Sequence, residues 1–194
     1  YRHSLGVAEV AEAIAIQMQL TPERRQLVRR AALLHDLGKL GISNAILDKR
    51  GKLTPQERSL VNEHPFLTRT ILERVSSFRE LAEIAGQHHE RLDGTGYPFG
   101  LHASALSVES RIICLADTFA ALAEQRPYRA ALPLEEVMCI LKKETPTRLD
   151  SECFAALCEV AAGWVNALPA VFNTPPQEAC ETALSWQDAE WVDA

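Results

Sequence analysis

Every long apolar pattern in this chain repeats at helical spacing, and no segment alternates as a half-buried strand does. Val7, Val10, Ile14 and Met18 form one stripe, and Leu27, Ala31 and Leu34 form another. Apolar residues three and four apart gather on one face of a helix, so the chain is expected to be all-α. Local signals place the ends. Thr21-Pro22 offers a cap residue followed by proline in a first turn, and Thr54-Pro55-Gln56-Glu57 reads as a capping box. The expected helices cover about residues 3–19, the stretch ending near Gly38 and Gly41, the stretch from Thr54 to His64, and 65–75, 78–90, 108–124, 133–144 and 151–163. Pro65 disfavours helical backbone at the residue before it, which sets the stop at His64. Residues 91–107 form a long loop carrying Gly94, Gly96, Pro98 and Gly100, and loops of that length inside a compact domain are usually functional or disordered.

With 194 residues the chain can bury one sizeable core. The expected organisation is a domain over 1–163 and a helical or partly irregular extension over 164–194, where Pro169, Pro175 and Pro176 interrupt the pattern and Trp164, Trp186 and Trp191 gather. That extension reads as packing on the domain through its tryptophans, with partner binding as the alternative. A net charge of −6 argues against a surface that coats bulk nucleic acid, yet allows a small anion held by a local cluster. There is no apolar run long enough to span a bilayer and no signal-peptide pattern. Five cysteines at 114, 139, 153, 158 and 180 show no CxxC spacing, which suits reduced thiols in the cytoplasm. Starting at Tyr1, the sequence reads as a piece of a longer chain, and any upstream sensor or receiver domain lies outside it.

The chemistry concentrates in histidines and aspartates set into apolar surroundings. His35-Asp36 ends a helix rich in leucine. His3 shares the stripe of Val7 and Val10. His64 precedes Pro65, His88-His89 closes another helix, and Asp117 ends the run Ile112-Ile113-Cys114-Leu115-Ala116. A buried carboxylate is costly unless paired or metal-bound. A lone His-Asp pair reads first as a helix cap beside a core histidine; the number of such positions here favours a metal. Neutral imidazole suits Fe, Mn or Zn, and carboxylates suit Mg and Mn and can bridge two ions. The donor set therefore fits a mixed nitrogen and oxygen centre rather than a cysteine-built structural zinc site. His102, in the loop, reads as solvent-exposed.

In order along the chain stand His35-Asp36-Leu37-Gly38-Lys39, Ile46-Leu47-Asp48-Lys49, Gly51-Lys52-Leu53-Thr54, His64-Pro65, the run from His88-His89-Glu90 to Gly96-Tyr97-Pro98, Arg111-Ile112 with Ala116-Asp117, Arg126-Pro127-Tyr128-Arg129 and Leu149-Asp150. This series resembles the HD-GYP domain, a subgroup of the HD phosphohydrolase superfamily, over His3 to about Asp150. The resemblance implies an HD-superfamily helical bundle with a long Gly-Tyr-Pro loop. It implies bacterial second-messenger signalling by hydrolysis of cyclic di-GMP to pGpG or GMP. The alternatives are an HD-type phosphohydrolase acting on another nucleotide such as cyclic GMP-AMP, and a catalytically silent module that senses the dinucleotide or docks a partner.

By matching position, His3, His35, Asp36 and Asp117 would serve one divalent ion. Asp36 would bridge to a second, served by His64, His88 and His89. Fe or Mn is the expected metal. A glutamate used by some members for a third ion falls before Tyr1, so the count beyond two stays open. Asp36 and Lys39 are the expected catalytic pair, the carboxylate holding both ions and the ammonium meeting a phosphate oxygen. Outside the motif, Lys39 also reads as a surface lysine at a helix C-terminus. Tyr97 would shape the pocket or dock a partner domain, and Arg126 and Arg129 would grip the second phosphate through bidentate guanidinium contacts, with Tyr128 packing nearby. Glu90 and Asp93 would either orient the histidines or hold the loop by hydrogen bonds. Candidate protein partners are a diguanylate-cyclase-type or receiver domain and a second copy of the chain. The chain departs from the family pattern at Ala120, at Leu101-His102-Ala103 and at Leu106-Ser107.

Overall fold

A computed structural model describes residues 2–49, 51–125 and 130–164. They form nine α-helices, α1 Arg2–Gln17, α2 Pro22–Leu34, α3 Asn44–Leu47, α4 Pro55–Val61, α5 His64–Leu72, α6 Arg79–Ala85, α7 Val108–Ala123, α8 Leu134–Glu144 and α9 Ser151–Ala162, joined by three short 3₁₀ turns. The described residues contain no strand; Asp93 and His102 make one isolated antiparallel bridge.

The helix starts follow their sequence signals. Thr21 caps α2 by accepting from the Arg24 amide. Thr54 and Glu57 form a reciprocal box at α4, the Glu57 amide donating to Thr54 Oγ1 at 3.2 Å and the Thr54 amide to Glu57 Oε2 at 2.7 Å. Asp150 caps α9 from the Glu152 and Cys153 amides.

α7 is the central element. Thirteen of its sixteen residues are buried, and a helix covered on nearly every face belongs in the middle of a bundle. α1 packs against α2, α7 and α9, while α5 packs against α6 and the 3₁₀ turn Leu37–Gly41. Val7, Val10 and Ile14 of α1 meet a core containing Val28, Ile112, Ile113, Leu115, Phe119, Leu141 and Leu157, most of them with no exposed surface. Burying each large aliphatic side chain is worth about 1.5–3 kcal/mol, which is enough to hold several buried polar groups beside this core. Trp164 packs on Phe119 with ring centroids 5.6 Å apart. The rest of the 164–194 extension, with Trp186 and Trp191, lies outside the described residues.

Two boundaries differ from the sequence reading in ways that matter for the site. His64 does not end α4; α4 stops at Val61 and His64 opens α5, with Pro65 in its first turn. Proline is tolerated there because first-turn amides lack helical acceptors. α6 stops at Ala85, so His88 and His89 lie in the turns after it. The short helix Asn44–Leu47, capped by Ser43, was not anticipated.

Candidate metal centre

Five chain segments deliver the polar side chains to one place. α1 brings His3, the end of α2 brings His35 and Asp36, the start of α5 brings His64, the turns after α6 bring His88 and His89, and the middle of α7 brings Asp117. Potential ligand atoms fall into three overlapping groups, each within 4.8 Å: His3, His35 and Asp117; His35, Asp36 and His88; His64, His88 and His89. Asp36 stands between the outer two, with Oδ2 3.5 Å from His35 Nε2 and Oδ1 3.4 Å from His64 Nε2. Asp117 Oδ1 is 2.9 Å from His3 Nε2 and 3.6 Å from His35 Nε2.

The backbone sets the direction of three imidazoles. Nδ1 of His35, His64 and His88 lies 2.7 Å from the carbonyl oxygen three residues earlier, on Ala32, Val61 and Ala85 respectively. A carbonyl only accepts, so each Nδ1 carries a proton and each Nε2 faces inward, with a lone pair wherever the ring is neutral. His64 Nε2 and His88 Nε2 then face each other at 3.1 Å. Two inward lone pairs at that distance call for a cation between or beside them. Asp36 Oδ1 makes the same demand, being a buried carboxylate oxygen with no hydrogen-bond partner. The donor set, five imidazoles with two carboxylates and no thiolate, matches divalent Fe, Mn or Zn. These residues fit a metal centre.

The electrostatics divide the cluster. Burial pushes His64 down to about 4 and His89 down to about 3, and drives His88 well below its usual value. These rings are neutral at pH 7, as ligands must be. His3 and His35 move the other way. Burial disfavours their charged forms, but Asp117 and Glu124 raise His3 to about 9, and Asp36 and Asp117 raise His35. For Asp36, burial opposes ionisation, but His35 and Lys39 outweigh it and hold the carboxyl well below the usual range. Asp117 is held down in the same way by His3 and His35.

Gly38 lets this arrangement close. A Cβ there would sit 2.0 Å from the His64 carbonyl oxygen and 2.6 Å from the Thr68 nitrogen. The Gly38 amide donates to Thr68 Oγ1 at 2.8 Å, and that hydroxyl donates to the His35 carbonyl at 2.8 Å. α5 is thereby locked onto the turn that bears Asp36. Lys39 Nζ lies 3.0 Å from Asp36 Oδ2 at the mouth of the cluster.

The glycine-rich loop is built from Glu90. Its fully buried carboxylate accepts the amides of Phe99 at 2.7 Å and Leu101 at 2.8 Å. The Tyr97 amide reaches the His89 carbonyl at 3.2 Å, and the Tyr97 ring packs on His89 with centroids 4.8 Å apart. Gly96 lies so close to the incoming chain that a Cβ would meet the Arg91 nitrogen at 2.4 Å. Arg111 ties the outgoing limb to α9, donating to the Ala103 and Leu106 carbonyls and to Asp150. Of the two roles open to Glu90 and Asp93, the observed contacts are those of loop support: Asp93 accepts from the Thr95 amide and hydroxyl and lies 3.6 Å from Arg148. His102 is exposed, as expected, with its ring over Gly94. Arg126, Tyr128 and Arg129 lie outside the described residues.

Two contributors escaped the sequence reading. Thr68 falls one turn after His64, and Glu124 falls two turns after Asp117, so helical periodicity places each on the face of a candidate ligand.

A helical bundle that gathers a His-Asp step with further histidines around one buried centre defines an HD domain, and the family model described as "HD domain" matches residues 1–153. The chain belongs to that family, in its HD-GYP-type branch. It is 46% identical, over 93% of its length, to the 3'3'-cGAMP-specific phosphodiesterase 3 of Vibrio cholerae. It is 37% identical, over 78% of its length, to the cyclic di-GMP phosphodiesterase response regulator RpfG of Xanthomonas campestris pv. campestris. The chain spans 38% and 40% of those two proteins. Among solved structures, Bd1817, an HDG"Y"P protein from Bdellovibrio bacteriovorus, superimposes with a TM-score of 0.68 at 23% identity, covering 83% of this chain and 52% of that one; that likeness speaks to the fold. No described helix is long and apolar enough to cross a membrane.

Proposed function

We propose that this chain is a metal-dependent phosphodiesterase of cyclic dinucleotides and that 3'3'-cGAMP is its preferred substrate. The reading rests on one observation above others: a buried cluster of imidazoles and carboxylates occurs in a chain 46% identical to a cGAMP-specific phosphodiesterase. Cyclic di-GMP, the substrate implied first by the motifs, is the second reading, and the 37% identity to a cyclic di-GMP enzyme keeps it in play.

His3, His35 and Asp117 would hold one divalent ion, His64, His88 and His89 the other, and Asp36 would be shared. Such ions supply Lewis-acid charge to phosphate oxygens and make water acidic enough to ionise near neutral pH. The chain's own part is to hold everything in register. Asp36 keeps its negative charge at any physiological pH. The Nδ1 contacts of His35, His64 and His88 keep three Nε2 atoms aimed inward without further reorganisation. Lys39, at the mouth, donates to a non-bridging oxygen of the bound phosphodiester, exchanging its ion pair with Asp36 for a phosphate contact. Tyr97, held on His89 by the Glu90-built loop, forms one wall of the pocket. Arg126 and Arg129 take the second phosphate.

The test is a side-by-side measurement of kcat/KM for 3'3'-cGAMP and cyclic di-GMP with the metal-loaded chain, products separated by chromatography. A preference for cGAMP of at least about tenfold, or about 1.4 kcal/mol, supports the reading. A preference for cyclic di-GMP installs the alternative substrate, and failure to cleave either dinucleotide sinks the proposal.

A further inference from the structure

His3 differs from the other inward-facing histidines in what holds it. His35, His64 and His88 each lean on the carbonyl three residues back. His3 leans on a side chain instead: its Nδ1 lies 3.0 Å from Oε2 of Glu124, while its Nε2 lies 2.9 Å from Asp117 Oδ1. The ring is held between two carboxylates on one helix, since Asp117 and Glu124 lie two turns apart on α7.

Helix stability does not account for Glu124. It occupies the C-cap of α7, where the macrodipole disfavours negative charge. Its side chain is 17% exposed, and Oε1 is buried with no hydrogen-bond partner among the described residues. Both features disfavour a carboxylate at this position, and the contact it makes in return is the one to His3.

We propose that Glu124 is a positioning residue for the metal centre. It accepts the Nδ1 proton of His3, which leaves Nε2, now 2.9 Å from Asp117 Oδ1, as the nitrogen that a metal would take. A carboxylate acceptor on the far nitrogen also makes an imidazole a stronger donor to a metal, and removing such a partner typically weakens metal affinity about 10–100-fold. The inference rests on the reading of His3 as a metal ligand. It makes this half of the centre depend on the end of α7, whereas His64 and His88 in the other half lean on backbone carbonyls.

The experiment is a Mn(II) titration of the full chain, with free ion followed by electron paramagnetic resonance, on wild type, Glu124→Ala, Glu124→Gln, His3→Ala and the His3→Ala/Glu124→Ala double variant, together with metal-free thermal midpoints. Glu124→Ala is expected to weaken one of two sites about 10–100-fold and leave the other unchanged. Glu124→Gln, which keeps an acceptor oxygen, restores affinity to within about threefold, and Glu124→Ala adds nothing once His3 is gone. Retention of both sites by Glu124→Ala overturns the proposal. So does equal weakening of both sites with a lowered thermal midpoint, which marks a merely structural role, or failure of Glu124→Gln to restore binding. A wild-type chain that takes up no ion overturns the metal-ligand reading itself along with it.

Discussion

Replacing Gly38 with alanine should dismantle the centre without touching a ligand. The added Cβ would stand 2.0 Å from the His64 carbonyl oxygen, 2.6 Å from the Thr68 nitrogen and 2.9 Å from the His64 carbonyl carbon. All three are backbone atoms of α5, so no side chain can swing aside. Reaching an ordinary contact of 3.4 Å requires α5 and the Asp36 turn to separate by roughly 1.4 Å. Overpacking of this kind costs about 1–3 kcal/mol. The two buried Thr68 hydrogen bonds, Gly38 amide to hydroxyl and hydroxyl to the His35 carbonyl, add about 1 kcal/mol each when lost. The total is about 3–5 kcal/mol, which lowers the thermal midpoint by about 6–20 °C for a chain of this size. The same displacement carries His64 away from Asp36, now 3.4 Å distant, so metal uptake should fall as well. Gly41→Ala is the control, because its Cβ meets only the tip of the Leu67 side chain at 3.2 Å; its cost should stay below about 1 kcal/mol. The assay is calorimetric melting of the metal-free chain together with metal counting. A Gly38→Ala protein that melts within about 2 °C of wild type and binds its full metal complement would refute the packing argument.

Further outcomes follow from the same geometry. Asp36→Asn removes the charge shared by both groups, and turnover should fall at least about 100-fold with a measurable loss of bound metal; near-normal kcat would show that Asp36 does not hold the centre. Glu90→Gln leaves one of the two loop amides without its acceptor, at about 1 kcal/mol, so KM should rise and proteolysis between residues 94 and 100 should quicken; an unchanged KM and cleavage pattern would contradict the role of Glu90 in the loop. Metal affinity should depend on pH unequally. Metal-free His3 holds its proton up to about pH 9 and His35 is raised too, so binding there displaces at least one proton, and affinity should rise at least about tenfold per pH unit below that value. His64 and His89, already neutral down to about 4 and 3, impose no such slope at neutral pH. Two sites with equal, flat pH profiles between 6 and 8 would contradict the division.

What the sequence made legible was whatever a local pattern encodes. Thr54 with Glu57 announced α4, and the stripe of Val7, Val10 and Ile14 announced α1. The histidines and aspartates stood out because each interrupts an apolar helical pattern or marks a helix end, and all seven meet in the folded chain. Pro65 was misread because the same residue that stops a helix from behind also starts one in its first turn, and only the packing of α5 on the Asp36 turn decides between them. Glu124 was missed for a different reason. A glutamate at the end of an apolar helix looks like a solvent-facing residue until His3, 121 positions away, is brought against it. The Glu90 contacts stay within one loop, yet the sequence marked only the loop, and the amides of Phe99 and Leu101 reveal what shapes it.

The most direct test counts metal and follows chemistry in one sample. Native mass spectrometry of the loaded chain should find two divalent ions, and the same preparation should linearise 3'3'-cGAMP, lose that activity on chelation and regain it on adding Mn(II) or Fe(II). Cleavage that persists in fully chelated protein, or a two-metal protein that leaves both 3'3'-cGAMP and cyclic di-GMP intact, would contradict the account.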